Sequence, residues 1–88
     1  MAERSVRVVN RNGVHARPAA EIVKCSARFQ SEITLSRDEL EVNGKSIMGV
    51  MMLAAEQGAT LILRARGPDE DAAVEALVKL IDGGFGEH

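Results

Sequence analysis

The residues best suited to chemistry lie together in residues 12–20, Asn-Gly-Val-His-Ala-Arg-Pro-Ala-Ala. Pro18 is tolerated in the first turn of a helix but not in its interior, so a helix must begin near Ala16, with His15 at its start. The first backbone amides of a helix have no internal acceptor and carry positive potential, so those of Ala16 and Arg17 can bind an anion. Because the Arg17 guanidinium adds a bidentate donor, the stretch predicts a phosphoryl group on His15.

Histidine is suited to passing a phosphoryl group on. An imidazole nitrogen is largely neutral and nucleophilic near neutral pH, and the phosphoramidate that it forms is labile, whereas a serine ester is a poorer relay. The structural alternative is that His15 only occupies the helix start and that Arg17 is a solvated surface residue. Asn12 also has two interpretations, a hydrogen bond near the ring or an ordinary loop turn. The terminal His88 is assigned no role.

A second candidate, Ser46, precedes another predicted helix. Its hydroxyl can cap the helix amides, worth about 1 kcal/mol, and capping alone would explain the residue. The helix that follows is apolar nearly all round, and a short helix on an outer layer cannot bury every side. With Val50 and Leu53 pointing inward, we expect an exposed, adaptable patch for partner proteins. It comprises Ile47, Met48, Met51 and Met52. The alternative is a fully packed helix in which methionine fills gaps.

Basic residues follow one side of the first predicted helix. Arg17, Lys24 and Arg28 fall within about 40° of one another at 100° per residue, opposite the apolar stripe, although Glu21 dilutes the strip. Beside the apolar patch they would form a positive rim around a hydrophobic centre. We assign Ala20, Lys24 and Ala27 to the same partner-binding surface.

Length and composition limit the possible classes of protein. The 88 residues make one small domain, 1–88, and the hydrophobic fraction of 45% with a charged fraction of 27% is typical of a globular fold. Phe29 and Phe85 are the only aromatic residues, which argues against a base-stacking nucleic-acid platform. No apolar run approaches the ~20 residues of a membrane span and no signal peptide is evident, so we expect a cytoplasmic protein without membrane insertion. The lone Cys25 predicts neither a disulfide nor zinc, and no metal or cofactor is expected.

The net charge of −2 conceals a gradient along the chain. Residues 1–30 carry six basic and two acidic side chains, whereas residues 67–88 carry one basic and six acidic. A nucleic-acid partner would favour a positive balance throughout the chain. The gradient therefore favours a protein partner with an acidic docking face.

Turn signals and apolar periodicity predict a mixed α/β chain of order β-α-β-β-α-β-α. The predicted strands are residues 5–9, 32–35, 40–42 and 60–66, and the predicted helices are residues 16–28, residues 47–56 ended by Gly58, and a last helix between Asp69 and Gly83. Asp69 is expected to cap that last helix, whose inner stripe would be Ala73, Leu77, Leu80 and Ile81. Short loops favour antiparallel pairing, with a hairpin turn at 36–39. We therefore expect an α+β two-layer open-faced sandwich, a four-stranded antiparallel sheet with three helices on one face.

With these residues in view, the sequence resembles the histidine-containing phosphocarrier (HPr) family of the bacterial sugar phosphotransferase system. The resemblance runs through residues 12–20, then through residues 42–49, Val-Asn-Gly-Lys-Ser-Ile-Met-Gly, and on through isolated positions to the end of the chain. Those positions are Gly58, Gly67, Asp69, Glu70, Phe85 and Gly86. Several separate blocks over nearly the whole chain are more specific than any single short motif.

The resemblance implies roles that the residues alone leave open. It implies that His15 accepts a phosphoryl group from phosphorylated enzyme I, ultimately from phosphoenolpyruvate, and donates it to an enzyme IIA. It also implies that Ser46 is phosphorylated by an HPr kinase/phosphorylase, and that transcriptional or metabolic regulators are further partners. The expected protein is a monomeric carrier, not an autonomous enzyme, and the block around Ser46 looks more like the sugar type than the nitrogen-related branch.

Two other classes of function stay open at this point. One is a non-carrier regulatory module that binds proteins through the second helix and responds to Ser46 phosphorylation, which the presence of His15 disfavours. The other is a small hydrolase of the acylphosphatase type, although the sequence offers no second catalytic base or anion-binding loop. Phosphoryl transfer to His15 would distinguish the carrier from both.

Overall fold

The computed structural model describes residues 1–86, so that His88 lies outside the described residues. The chain forms four strands, three helices and a short 3₁₀ turn at Gly84–Gly86. The strands are β1 (Ala2–Arg7), β2 (Glu32–Arg37), β3 (Leu40–Asn43) and β4 (Thr60–Arg66), and the helices are α1 (Ala16–Ala27), α2 (Ile47–Met52) and α3 (Glu70–Asp82). The predicted element order is confirmed.

The strands make one antiparallel sheet in the spatial order β1-β4-β2-β3. β4 lies between β1 and β2, with Val6 opposite Leu61 and Leu35 opposite Leu63. β2 and β3 are joined by a tight turn in which Arg37 pairs with Leu40 and Asp38 takes the left-handed conformation, φ 56°. Aspartate tolerates that conformation better than most side chains, which is why the turn closes without glycine.

The helices cover one face of the sheet and bury the core between the two layers. Alternate strand residues point into this core, together with the inner faces of the helices. α3 packs on β1 and β4, and α1 packs against both α2 and α3. The fully buried large side chains are Val8, Ile22, Leu35, Val50, Leu61, Leu63, Leu77 and Ile81. The predicted two-layer sandwich is therefore confirmed.

The opposite face of the sheet is polar and is crossed by one arginine. Arg64 on β4 donates to Glu3 of β1 at 2.7 Å and to Glu41 of β3 at 3.0 Å. Hydrogen bonds to these carboxylates, that to Glu3 foremost, raise the pKa of Arg64. The pair with Glu3 joins neighbouring strands, whereas the pair with Glu41 reaches from β4 past β2 to β3.

The first strand begins earlier than predicted. The prediction of residues 5–9 is wrong because pairing with β4 fixes the strand, from Ala2 opposite Ala65 to Arg7 opposite Thr60. Val8 follows the strand and still makes two backbone bonds, donating to Ala59 at 2.9 Å and accepting from Gly58 at 2.8 Å. Val6 and Val8 are buried as predicted.

The second helix is shorter than predicted. α2 ends at Met52, not near Glu56, because Leu53 and Ala54 donate to carbonyls three residues back and Ala54 then turns into the left-handed region at φ 48°. Gly58 is therefore not its terminator. The segment of residues 53–59 forms a separate connection to β4.

The cap predicted for the third helix is also wrong. Asp69 occupies the N-cap position of α3, but its carboxylate makes no capping bond and instead accepts from the backbone amides of Gln30 at 2.9 Å and Ser31 at 3.0 Å. The Ser31 hydroxyl donates to the same carboxylate at 2.5 Å. Tertiary contacts with the start of β2 have displaced the local cap. The inner stripe also differs, since Val74 is buried and Leu80 is only partly buried.

Candidate functional site

His15 lies at the N-cap of α1, in an extended backbone conformation with φ −86° and ψ −167°. Its carbonyl accepts the first helical hydrogen bond, from Ala19 at 2.9 Å. Its side chain is exposed and makes no capping bond to the amides of helix Ala16–Ala27. Because the first amides of a helix have no acceptor within it, those of Ala16 and Arg17 are oriented toward the space beside His15. That arrangement suits an anion held at the surface.

Hydrogen bonds to backbone carbonyls hold the loop before His15 in place. Val14 donates its amide to the Ala55 carbonyl at 2.8 Å, and the Asn10 side-chain amide donates to the Gly13 carbonyl at 2.8 Å. Gly13 has φ 65°, and a Cβ there would lie 2.3 Å from the Ala55 oxygen. Only glycine fits this turn, which holds Val14 and therefore the backbone of His15 in place.

The first turn of α1 is open to solvent beyond His15. Ala16 and Arg17 are both exposed, and Pro18 and Ala19 are buried beneath them. An exposed guanidinium two residues from His15 can approach a phosphoryl group on the ring and withdraw from it again. The structure thus leaves the Arg17 cation at the surface, two residues from His15 in the first turn of α1.

The rest of the predicted basic strip also lies on the surface. Lys24 and Arg28 are exposed, as is Ala27, whereas Ala20 and Glu21 are half-buried. The helix that carries this strip, α1, packs against α2, which begins after Ser46. The structure therefore brings the predicted site residues of α1 and α2 onto adjacent helices.

Ser46 lies at the N-cap of α2 and its hydroxyl does cap the helix. Its Oγ accepts the amide of Gly49 at 3.1 Å, and its carbonyl accepts that of Val50 at 2.9 Å. The preceding Lys45 donates through Nζ to the Phe29 carbonyl at 2.8 Å, which ties the start of α2 to the segment after α1. The half-buried Ser46 therefore has a structural role as the cap of α2, independent of any further role.

The apolar patch on α2 is solvent-exposed. Val50 and Leu53 are buried, as predicted, while four large apolar side chains remain outside, so a fully packed helix is ruled out. Their exposed fractions are Ile47 45%, Met48 75%, Met51 43% and Met52 63%. An exposed cluster of flexible apolar side chains is typical of a surface that binds proteins.

Cys25 contributes nothing to this chemistry. It is half-buried beside the core, and burial raises the pKa of its thiol, only partly offset by the positive charge of Arg28. A thiol of raised pKa carries less thiolate and is a poorer nucleophile. Cys25 is therefore a packing residue.

The described part of the chain offers little to metals or membranes. Among residues 1–86, no three histidine, cysteine, aspartate or glutamate side chains come close enough together to hold a metal ion. In the same residues, no helix combines the length and apolar character needed to span a bilayer.

Sequence reasoning missed the support of the His15 loop. Residues Gly13 and Ala55 were assigned no role, although their backbones meet directly behind Val14. The Asn12-Gly13 pair is a recognisable turn signal and could have indicated the left-handed glycine. The Ala55 carbonyl carries no sequence signal, because any residue supplies a carbonyl.

The chain is similar to phosphocarrier proteins over its whole length. The family model described as the PTS HPr component phosphorylation site matches residues 2–83. Phosphocarrier protein HPr of Treponema pallidum is 54% identical over 87 residues, covering 99% of each chain.

Solved structures agree with this likeness. The crystal structure of HPr from Thermoanaerobacter tengcongensis superposes with a TM-score of 0.96 at 45% identity, covering 100% of this chain and 99% of that one. Crh of Bacillus subtilis, a protein named for catabolite repression and described as an intertwined, swapped dimer, has a TM-score of 0.77 at 40% identity, covering 96% and 97%.

Proposed function

The chain belongs to the HPr family of phosphocarriers of the phosphotransferase system, and we propose from this that His15 is the residue that carries the phosphoryl group. The donor is phosphorylated enzyme I, charged from phosphoenolpyruvate, and the acceptor is an enzyme IIA. The observation that carries the proposal is the exposed ring of His15 at the start of α1, beside the exposed Arg17.

Phosphoryl transfer needs few catalytic groups beyond the nucleophile, so a small chain is sufficient. A nitrogen of the His15 ring attacks phosphorus as the bond between phosphorus and the donor atom of enzyme I breaks, so one bond forms and one breaks. The reverse exchange passes the group to enzyme IIA. Because positioning and charge stabilisation dominate such reactions, the amides of Ala16 and Arg17 and the Arg17 guanidinium hold the phosphoryl oxygens without enclosing them.

Partner proteins complete the site, and the surface for docking surrounds His15. The apolar patch on α2 supplies the centre, and Lys24 and Arg28 supply a positive rim, with Ala20 and Ala27 between them. A rim of one sign accelerates encounter with an oppositely charged face. Enzyme I and enzyme IIA are therefore expected to present acidic side chains around an apolar centre.

Labelling tests the carrier role directly. Incubation with labelled phosphoenolpyruvate and enzyme I should place an acid-labile, alkali-stable label on the chain, lost in His15→Ala. The chain has two histidines, so His88→Ala is the matched control and should keep the label. A label that survives His15→Ala, or that disappears in the control, would refute the assignment.

Ser46 is proposed as a regulatory site for an HPr kinase/phosphorylase. A phosphate there adds about −1.5 to −2 charge at the start of α2, which the helix amides tolerate but an acidic docking partner repels. With ATP and the kinase, an alkali-labile label should appear in the wild type and in Ser5→Ala, an exposed serine on β1, but not in Ser46→Ala. A label in Ser46→Ala would contradict the proposal.

A second candidate function is a regulatory module without carrier activity. The observation that favours it is the likeness to Crh of Bacillus subtilis. It predicts kinase labelling at Ser46 and no transfer from enzyme I to His15. The two labelling experiments therefore separate the candidates.

We propose a single carrier domain over residues 1–88 that works in the cytoplasm as a monomer of the sugar-type branch. Two ion pairs hold β1 and the residue before it against α3 of the same chain, which favours a monomer over a dimer that exchanges this segment between chains. The amino group of Met1 lies 2.9 Å from Glu70, and Arg4 lies 3.2 Å from Glu75. Light scattering should give the monomer mass, and a dimer mass would contradict this part of the proposal.

A further inference from the structure

The connection between α2 and β4 holds an alanine in an unfavourable conformation. Ala54 has φ 48°, in the left-handed region that a residue with a Cβ rarely occupies. Such conformations persist where surrounding contacts determine them, and they cluster near functional sites. Residues 53–56 will be called the strained segment.

Arg37 binds the strained segment through three hydrogen bonds. Its Nη1 donates to the carbonyls of Leu53 at 3.1 Å and Ala54 at 2.7 Å, and its Nη2 lies 2.6 Å from Glu56 Oε1. The Arg37 side chain is only 26% exposed. The backbone amide of Glu56 and the Arg37 fork together lower the pKa of the Glu56 carboxyl, in keeping with a formed ion pair. One planar guanidinium thus fixes three groups of the segment.

The loop of His15 contacts the strained segment at Ala55. The Ala55 carbonyl accepts the Val14 amide at 2.8 Å, and the backbone of Gly13 lies against the same oxygen. Leu53, Ala55 and Val14 are all buried. A shift of Ala55 must therefore move Val14, whose carbonyl carbon is bonded to the backbone nitrogen of His15.

We infer that Arg37 is a positioning residue for phosphoryl transfer, which it serves by holding the strained segment in the conformation that supports the His15 loop. The inference rests on the proposed function of His15. Arg37 lies at the end of β2 and contacts the strained segment, so it acts through other residues. In-line transfer is sensitive to displacements of about 1 Å, so a relaxed segment lowers the transfer rate.

The test compares Arg37→Met with Arg64→Met in the enzyme I labelling assay. Arg64 is the matched control, because its side chain is 35% exposed and makes two ion pairs, but those pairs lie on the open face of the sheet. We expect Arg37→Met to lower the maximal transfer rate at least about threefold, with KM for the carrier nearly unchanged, because the docking surface is intact. Arg64→Met should leave the rate unchanged at saturating carrier.

A spectroscopic readout separates positioning from general stability. Hydrogen exchange at the Val14 amide should speed up in Arg37→Met relative to core amides such as that of Leu63, and should not do so in Arg64→Met. If Arg37→Met does not fold, Arg37→Lys, which keeps the charge but loses the planar fork, carries the same comparison.

Relief of the strain provides a rescue. Glycine adopts φ 48° without cost, so Ala54→Gly in the Arg37→Met background should restore most of the transfer rate and the Val14 protection. An Arg37 variant with wild-type rate and wild-type Val14 exchange would overturn the role of Arg37 alone, as would a double variant that gains stability but no rate. A wild-type chain that takes no label from enzyme I would overturn the carrier role and the inference with it.

Discussion

His15 and Ser46 occupy the same position in two helices, the N-cap of α1 and the N-cap of α2. Their side chains differ in whether they bond to the first amides of the helix. Both N-caps are extended. The Ser46 hydroxyl accepts the amide of Gly49 and completes the helix, whereas the exposed His15 ring makes no such bond within α1. The comparison teaches that one helix start is completed by its own side chain, whereas the other is not, and the second is the start at which we propose that a phosphoryl group is carried.

The strongest way to break this comparison is to give α1 the cap of α2. In His15→Ser, the imidazole that we propose accepts the phosphoryl group is lost, so transfer from enzyme I should fall at least about 100-fold. The new hydroxyl can cap the first turn, and the free energy of unfolding should stay equal or rise by up to about 1 kcal/mol. Labelling and urea unfolding measure the two effects. Retained transfer, or a marked loss of stability, would contradict the contrast.

Arg17 tests whether the open helix start needs a cation beside it. Arg17→Met should lower transfer to His15 about tenfold, because the helix amides alone must then stabilise the phosphoryl oxygens. Arg28→Met removes another exposed charge of the same basic strip, at the C-terminal end of α1. It should alter KM and its salt dependence more than the maximal rate. Equal effects of the two variants on the maximal rate would assign Arg17 to docking instead.

Ser46 tests the completed helix start. Ser46→Ala removes the bond to Gly49 and should lower the free energy of unfolding by about 1 kcal/mol. Transfer to His15 should stay within about twofold of the wild type, because the lost bond lies within α2 and the loop of His15 keeps its own backbone contacts. Urea unfolding and the labelling rate measure both. An unchanged free energy of unfolding would show that the Ser46 cap does not stabilise the fold. A large loss of transfer would show that Ser46 also affects phosphoryl transfer to His15.

The start of α3 adds a third case, with the smallest expected effect. Hydrogen bonds from the Ser31 hydroxyl and the Gln30 and Ser31 amides hold the pKa of Asp69 below its usual range. A lowered folded-state pKa contributes stability above the unfolded value, about 3.9, and loses it as pH falls through the folded value. Asp69→Asn should therefore be less stable at pH 7 and converge with the wild type at low pH. A constant difference across that window in urea unfolding would contradict this.

Much of this arrangement could be predicted from the sequence, because local signals determine it. Pro18 fixes the start of α1 and so places His15, and the serine before an apolar run fixes the start of α2. The apolar run that begins after Thr60 and the break at Gly67 and Pro68 predicted the bounds of β4, residues 60–66, without error. These features depend on neighbours within one turn of helix or one strand.

The predictions that were wrong concern features that depend on contacts between residues far apart in the sequence. α2 ends early because Ala54 turns left-handed under the hydrogen bonds of Arg37, a residue that reads in the sequence only as part of a turn. Asp69 has the residue type and position of a helix cap, yet its carboxylate accepts a hydrogen bond from the Ser31 hydroxyl instead. The role of Ala55 is carried by a carbonyl that every residue has. No pattern within a short window contains these contacts.

The central claim is that the phosphoryl group received from enzyme I is carried at the start of α1 and not at the start of α2. Phosphorus and amide NMR spectra of the chain, recorded after incubation with enzyme I and phosphoenolpyruvate, test it most directly. The account predicts a phosphoramidate signal, with the largest amide changes at Ala16 and Arg17 and small changes at Gly49 and Val50. A phosphate ester signal, or amide changes centred on the start of α2, would contradict it.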